Sequence, residues 1–149
     1  MTIGNSEHFW AAPFEHEKEF GGRGWPASFP DDALTFRSKG SPGENTTLAV
    51  IATDAKLTKA QAKRLAVMAQ SGLSRAIYPV HTPLDGDIVF AAATGSRPIN
   101  DAVVDLARIG TTAANVVARA VARAAYEAKA LALPNALPAY RDKFGPAKK

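Results

Sequence analysis

The sequence predicts an α/β fold, because two short apolar segments with the character of strands alternate with two segments of helical character. Residues 47–53 and 88–94 are short and apolar and contain several β-branched residues, as buried strands do. Residues 58–71 and 111–131 carry apolar side chains three and four positions apart, which is typical of a helix buried on one face. With both helices on one side of the strands, a layered α/β sandwich is the simplest packing.

Length and composition indicate one domain with a sizeable core, since the chain has 149 residues and an apolar fraction of 46%. The absence of cysteine excludes disulfides, thiolate zinc sites and cysteine nucleophiles, and it fits a cytoplasmic protein. No apolar run approaches the roughly 20 residues that cross a bilayer, and no signal peptide is visible. The net charge of +4 is spread along the chain. We therefore expect neither a membrane nor a nucleic acid as partner.

The connections between these elements are predicted from their turn and cap residues. Thr58 and Gln61 match a capping box at the start of the first helix, which we expect to end near Ser71. Residues 73–79 suggest a short strand or a turn, and residues 100–110 suit either a helix or a strand. Asp85-Gly86 predicts a tight turn with positive φ at the glycine. Residues 95–98 are expected to end the second strand, and Pro134 the last helix.

Residues 1–45 differ from the rest, because hydrophobic periodicity is poor and glycine, proline and large aromatic residues are frequent. Such aromatic side chains on an irregular backbone need a surface to pack on, supplied by the second half of the chain or by a part outside it. Residues 37–45 are polar and read as a mobile, accessible linker. We therefore divide the chain into residues 1–45 and residues 46–149.

Four polar residues could carry chemistry. Thr46 stands where the linker meets the first strand, and it is either a nucleophile or only the first residue of a strand; spacing alone favours the second reading. Asp85 and Asp87 are a plain turn or a catalytic pair, and two carboxylates without further clustered ligands are weak evidence for a metal. His81 either lines a pocket or has a structural role. We predict no metal site and no cofactor.

Four ordered strings make the chain recognisable, namely residues 45–55, 57–61, 72–77 and 81–91. They closely resemble the second subunit of the L-aminopeptidase/D-esterase (DmpA-like) family, and the nearest branch is that of the 6-aminohexanoate-oligomer endo-hydrolases, which act on nylon oligomers. Residues 1–45 resemble the end of the first subunit of that family, so the chain reads as the C-terminal part of a longer precursor.

The resemblance implies an αββα sandwich akin to the N-terminal-nucleophile hydrolases. It also implies a precursor that cleaves its own Asn45–Thr46 bond, so that Thr46 becomes both the new N-terminus and the nucleophile. A freed α-amino group titrates at roughly pH 7.7–8.0 and can take the proton of the Thr46 hydroxyl, which the amide before cleavage cannot do. Asp85 and Asp87 match the acidic or hydroxyl pair that lies beside the nucleophile in the family.

The implied activity is hydrolysis of amide bonds in a short peptide, an amino-acid amide or a 6-aminohexanoate oligomer, through an acyl-enzyme on Thr46. The first subunit of the family also supplies a lysine and an asparagine near the nucleophile, and no position of this chain matches either. The alternative is a truncated, non-catalytic fragment that acts as an oligomerising or interaction module. In either case we expect a homo-oligomer or a complementing subunit.

Overall fold

The computed structural model describes residues 1–36 and 46–145. A short 3-10 turn at Ala12–Phe14 precedes the regular elements. The order strand, helix, strand, helix confirms the predicted α/β class, and one further short helix follows. The elements are β1 (Leu48–Ala55), α1 (Lys59–Ala76), β2 (Ile88–Arg97), α2 (Val104–Glu127) and α3 (Tyr140–Phe144).

The chain divides into two compact units. The first consists of Met1–Thr35, Arg75–Tyr78 and Ala118–Lys149, and the second consists of Phe36–Ser74 and Pro79–Val117. Both strands lie in the second unit, which therefore contains Thr46, Asp85 and Asp87. The predicted division of the chain between residues 45 and 46 concerns where the precursor would be cleaved, not how it packs, and it stays a prediction.

β1 and β2 pair in parallel, with Leu48 beside Ile88 at one end of the register. An irregularity follows Thr53, and at the far end the Lys56 N–H donates to the Arg97 carbonyl at 2.7 Å. β2 ends at Arg97, within residues 95–98 that are predicted to end it and three residues beyond the predicted strand 88–94. Gly95, with a positive φ of 75°, lies in the irregular stretch between Ala93 and Arg97.

Only one face of this two-stranded sheet is buried. Ile51, Ala55 and Val89 are at most 8% exposed, and they alternate with exposed neighbours as the period of a strand requires. The opposite face is solvent-exposed, and its part beside the strand heads is apolar; we call this part the open sheet face. It carries Leu48 (69% exposed), Val50 (68%), Ile88 (41%) and Phe90 (52%).

The start of α1 is the predicted capping box. The Thr58 N–H donates to Gln61 Oε1 at 2.8 Å, and the Gln61 N–H donates to Thr58 Oγ1 at 3.3 Å, so two backbone donors of the first turn are satisfied. The predicted end at Ser71 is wrong, because α1 continues to Ala76. Leu73 is fully buried, and burial of this side chain outweighs the low helix propensity of Gly72.

In the second unit, α1 and α2 approach closely at two glycines. A Cβ on Gly72 of α1 would lie 2.3 Å from the Ala114 carbonyl oxygen, and a Cβ on Gly110 of α2 would lie 2.3 Å from Met68 Cε. Real Cβ atoms do not approach other atoms so closely, so at each of these positions the absence of a side chain makes room for the other helix.

α2 begins with Val104, which resolves residues 100–110 in favour of a helix. Asp101 Oδ1 accepts the N–H groups of Val103 and Val104 at 2.8 Å, as an N-terminal cap does. The Asp105 carboxylate accepts the N–H groups of residues 100 and 101, and these hydrogen bonds hold the pKa of Asp105 below its ordinary value.

The far end of α2 differs from the prediction, because the helix stops at Glu127, ahead of Leu131 and Pro134. Proline therefore does not terminate it directly. The apolar pattern of this helix predicts one buried face, made of Val117, Val121, Ala124, Ala125 and Ala128. Val117 and Val121 are buried as predicted, whereas Ala124 and Ala128 are exposed and Tyr126 is buried near the end of the helix.

Aromatic side chains build the first unit. The ring of Phe9 lies edge-on to Phe20 at 5.5 Å and stacks on Tyr140 of α3 at 4.6 Å. The Tyr140 hydroxyl donates to the Glu7 carbonyl, and burial raises the pKa of Tyr140 to about 12. The C-terminal helix α3, which the sequence did not reveal, therefore supplies part of the surface that the N-terminal aromatics require.

Candidate functional site

Parallel pairing brings the heads of β1 and β2 together. Thr46 is exposed directly ahead of β1. The next residue, Thr47, donates its backbone N–H to Asp87 Oδ1 at 2.9 Å, and its carbonyl accepts the Ile88 N–H at 3.0 Å. The Asp87 side chain is only 6% exposed. The fold thus holds a buried carboxylate one residue away from the threonine that the sequence singles out.

Asp85 is held by its own loop. Its Oδ2 accepts the Thr82 N–H at 2.7 Å, and its own N–H donates to the Thr82 carbonyl at 2.9 Å. This pair closes a turn over Pro83 and Leu84. The predicted positive φ at Gly86 is wrong, and the left-handed residue of the loop is His81, at 56°. The side-chain and backbone bonds of Asp85 fix the turn without help from the glycine.

Gly86 lies against Thr46. An ideal Cβ on this glycine would be 2.6 Å from Thr46 Oγ1 and 3.6 Å from the Thr46 Cβ and Cγ2 atoms. The hydroxyl, and not the methyl group, therefore faces the glycine. Sequence reasoning missed this contact, because a glycine between two aspartates is explained equally well by a turn.

His81 contacts the same carboxylate that holds Thr47. Its Nδ1 lies 3.4 Å from Asp87 Oδ2, and its side chain is 35% exposed. Sequence reasoning left open whether His81 lines a pocket or has a structural role. The contact places the imidazole at the second oxygen of Asp87, so both oxygens of this carboxylate have a polar neighbour. In the sequence, only its nearness to Asp85 sets His81 apart from His8 and His16.

Other features of the described residues lie away from this group. Asn45, the other half of the predicted cleavage site, lies outside the residues that the structure describes. Within residues 1–36 and 46–145, no three histidine or acidic side chains converge as a metal site would require, and no helix has the length and hydrophobicity to span a membrane. A cavity of about 410 Å³ in the first unit includes no predicted catalytic residue. It is lined by Trp10, Phe29, Pro30, Asp31, Ala33 and Leu34.

The structure thus places a threonine at the head of β1 and, hydrogen-bonded to the next residue, an aspartate whose side chain is 6% exposed. The comparisons with known proteins identify the family to which the chain belongs. Residues 8–137 match peptidase family S58, and the chain belongs to that family. The resemblance to the aminopeptidase family is thereby confirmed at the family level; the nylon-oligomer branch stays a prediction.

The curated relatives are mycobacterial. An uncharacterized aminopeptidase of Mycobacterium tuberculosis (strain ATCC 25618 / H37Rv) is 44% identical over 110 residues, which cover 67% of this chain and 31% of the relative. The same values hold for an uncharacterized aminopeptidase of Mycobacterium bovis (strain ATCC BAA-935 / AF2122/97). One from Mycobacterium leprae (strain TN) is 51% identical over 69 residues, 45% of this chain and 19% of the relative. The chain thus matches less than a third of the length of these relatives.

Proposed function

We propose that this chain is an amide-bond hydrolase that is activated by self-cleavage between Asn45 and Thr46, with Thr46 as the nucleophile. One observation carries the proposal: in a chain of a peptidase family, the Thr47 N–H binds Asp87 and so fixes Thr46 beside a buried carboxylate. A hydroxyl at such a position needs only a base to become a nucleophile.

The cleavage step is an N-to-O acyl shift followed by hydrolysis. The Thr46 hydroxyl oxygen attacks the Asn45 carbonyl carbon and loses its proton, while the Thr46 nitrogen leaves that carbon and gains one. The product is an ester between the Asn45 carbonyl and Thr46 Oγ1. Water opens this ester, which leaves a carboxylate on Asn45 and both a hydroxyl and a free amine on Thr46.

The free amine then serves as the base for turnover. It titrates near neutral pH, at roughly 7.7–8.0 in model compounds, so it can accept the hydroxyl proton when a substrate arrives. The Asp87 carboxylate, which accepts the N–H of the next residue, Thr47, favours the protonated form of the amine because opposite charges attract. Asp85 completes the acidic pair, and its bond to Thr82 keeps the loop that carries both carboxylates in one shape.

The substrate that we propose is a short peptide, an amino-acid amide or a 6-aminohexanoate oligomer. The curated relatives are named aminopeptidases, which favours substrates with a free amino end. No step of the reaction calls for a metal or a cofactor. The lack of cysteine in the chain fits a reducing compartment, so we place the enzyme in the cytoplasm.

We further propose that the sheet is one half of an αββα sandwich. The open sheet face supports this, because a solvated apolar sheet face is normally covered by another layer. A second sheet would pack about 10 Å away and bury side chains such as Val50 and Phe90. A two-stranded sheet is marginal alone, so a homo-oligomer or a complementing subunit is the natural source of that layer.

An intact mass spectrum of the purified chain tests the proposed function. We expect two masses, for residues 1–45 and for residues 46–149, because the nucleophile and its acidic neighbour are both present. A single species of 15.7 kDa after prolonged incubation would contradict self-cleavage by this chain. That result would favour the second candidate, a non-catalytic interaction module, which the open sheet face also supports.

Replacing Asp87 with asparagine is expected to slow cleavage by about 10²-fold, since preorganised charge beside a reacting group is worth factors of this size. Asparagine keeps an oxygen that can accept the Thr47 N–H, so the strand heads should remain paired. The rate is followed as the disappearance of the uncut mass. Asp54→Asn, at an exposed carboxylate of β1, is the matched control and should cleave at the unchanged rate. Equal rates for all three proteins would remove Asp87 from the proposed site.

A further inference from the structure

Gly86 lies between the two aspartates of the loop, Asp85 and Asp87. A glycine is often required because the backbone adopts a positive φ, but Gly86 is not among the residues of this conformation. A positive φ is therefore not the reason for the glycine at this position. The reason for the glycine must lie in the space beside it, and that space holds Thr46 Oγ1, 2.6 Å from where a Cβ would be.

The two residues cannot easily move apart. Thr47, which follows Thr46, donates to Asp87 at 2.9 Å and accepts from Ile88 at 3.0 Å, and Asp87 follows Gly86. Separating Thr46 from Gly86 would strain or break these bonds at the first pair of the parallel register. The softer response to a larger residue at position 86 is therefore a rotation of the Thr46 side chain about its Cα–Cβ bond.

The direction of that rotation follows from the shape of threonine. Its Cβ carries a hydroxyl, a methyl group and a hydrogen in three staggered positions, and the position next to Gly86 holds the hydroxyl. If residue 86 had a methyl group, neither the hydroxyl nor the larger methyl group of Thr46 would fit there. Only the hydrogen would fit, and the hydroxyl would move by roughly 2 Å to another staggered position.

We propose that Gly86 is a positioning residue that provides the space for the Thr46 hydroxyl and so selects the rotamer from which this hydroxyl reacts. The selection of the rotamer stands on geometry alone, whereas its effect on cleavage rests on the proposed function. The glycine acts by the absence of a side chain.

Nuclear magnetic resonance measures the rotamer directly. The three-bond couplings from Thr46 Cγ2 to its own nitrogen and carbonyl carbon report χ1, whether or not the chain has cleaved. We expect the unmodified chain to show one rotamer, with the hydroxyl toward Gly86, and Gly86→Ala to show a different one. Averaged couplings in the unmodified chain, or identical couplings in Gly86→Ala, would overturn the proposal.

Gly95→Ala is the matched control. Gly95 lies in the same unit, has a positive φ of 75°, and has open space where a Cβ would be. This variant therefore carries backbone strain without contact to Thr46, and its Thr46 couplings should equal those of the unmodified chain. A change in Gly95→Ala equal to that in Gly86→Ala would mean that the couplings report general strain, which would also overturn the proposal.

The cleavage rate supplies the second readout. A nucleophile displaced by 1 Å or more commonly loses about 10²-fold in rate, so Gly86→Ala should cleave about 100-fold more slowly while Gly95→Ala keeps its rate. Full cleavage of Gly86→Ala with shifted couplings would separate the rotamer from the reaction and overturn the positioning role. Cleavage that persists in Thr46→Ala would instead refute the proposed function and leave the coupling result standing.

Discussion

Thr46→Ala is expected to remain a single chain of undiminished length under conditions in which the unmodified protein yields two pieces. Removing the hydroxyl removes the atom that must attack the Asn45 carbonyl, and no rearrangement of the neighbours can replace it. Loss of a catalytic nucleophile costs at least about 10⁴-fold in rate in well-studied hydrolases. Intact mass spectrometry over several days measures the effect, because even slow cleavage accumulates as two defined masses.

Two further variants show that the effect belongs to this one hydroxyl. Thr46→Ser keeps the oxygen and should still cleave at the same bond. Thr94→Ala removes a hydroxyl from an exposed position on β2 and should cleave as the unmodified chain does. Cleavage of Thr46→Ala at the original bond would show that Thr46 is not the nucleophile. It would also exclude the proposed shift of the acyl group to the Thr46 oxygen.

Gly72→Ala is expected to produce the largest loss of stability among single glycine replacements in the second unit. The new Cβ would lie 2.3 Å from the Ala114 carbonyl oxygen, 2.7 Å from Val117 Cβ and 3.0 Å from Val117 Cγ1. A backbone oxygen cannot turn aside, so α1 and α2 must separate. Overpacking of this kind costs typically 1–3 kcal/mol or more, which exceeds the gain of about 1 kcal/mol in helix propensity. We expect a net loss of about 2 kcal/mol.

The measurement is the midpoint of unfolding in urea, with Gly110→Ala as the matched control. This second substitution faces α1 from α2, but its Cβ would meet the Met68 side chain, at 2.3 Å from Cε, 2.5 Å from Sδ and 3.1 Å from Cβ. The end of a methionine side chain is flexible and can move away, so only the contact with Met68 Cβ stays tight. Gly110→Ala should therefore lose clearly less stability than Gly72→Ala. If Gly72→Ala unfolds at the same urea concentration as the unmodified chain, the close approach of the two helices is not rigid.

Sequence reasoning recovered the regular elements because local signals specify them. The capping box at Thr58 and the apolar period of α1 gave the start and the face of that helix. Its end was missed because Leu73 is buried by tertiary packing, and no local signal announces such burial. The same holds for α3, whose Tyr140 matters through contacts with residues more than a hundred positions away in the chain.

The site shows a similar division. Thr46 and Asp87 were chosen from the strings around them, and the parallel register, which no local pattern reveals, brings their surroundings together. The bond from Thr47 to Asp87 joins positions 40 residues apart. Asp85 was paired with Asp87 because both match the acidic pair of the family that the chain resembles, and its carboxylate holds a turn through the Thr82 N–H. The role of Gly86 depends on its distance to Thr46, which is 40 positions away in the chain. The contact of His81 with Asp87 depends on the left-handed backbone at His81. Residue type alone predicts neither.

The pairing of β1 with β2 also implies a delay during synthesis of the chain. Thr47 leaves the ribosome 40 residues before Asp87, its partner, which at about 5–20 residues per second is a delay of roughly 2–8 s. Until β2 has been translated and has joined β1, the acidic group that would assist the threonine is not in place. If the bond ahead of Thr46 is cleaved as we propose, a translation product that ends before β2 should keep this bond intact.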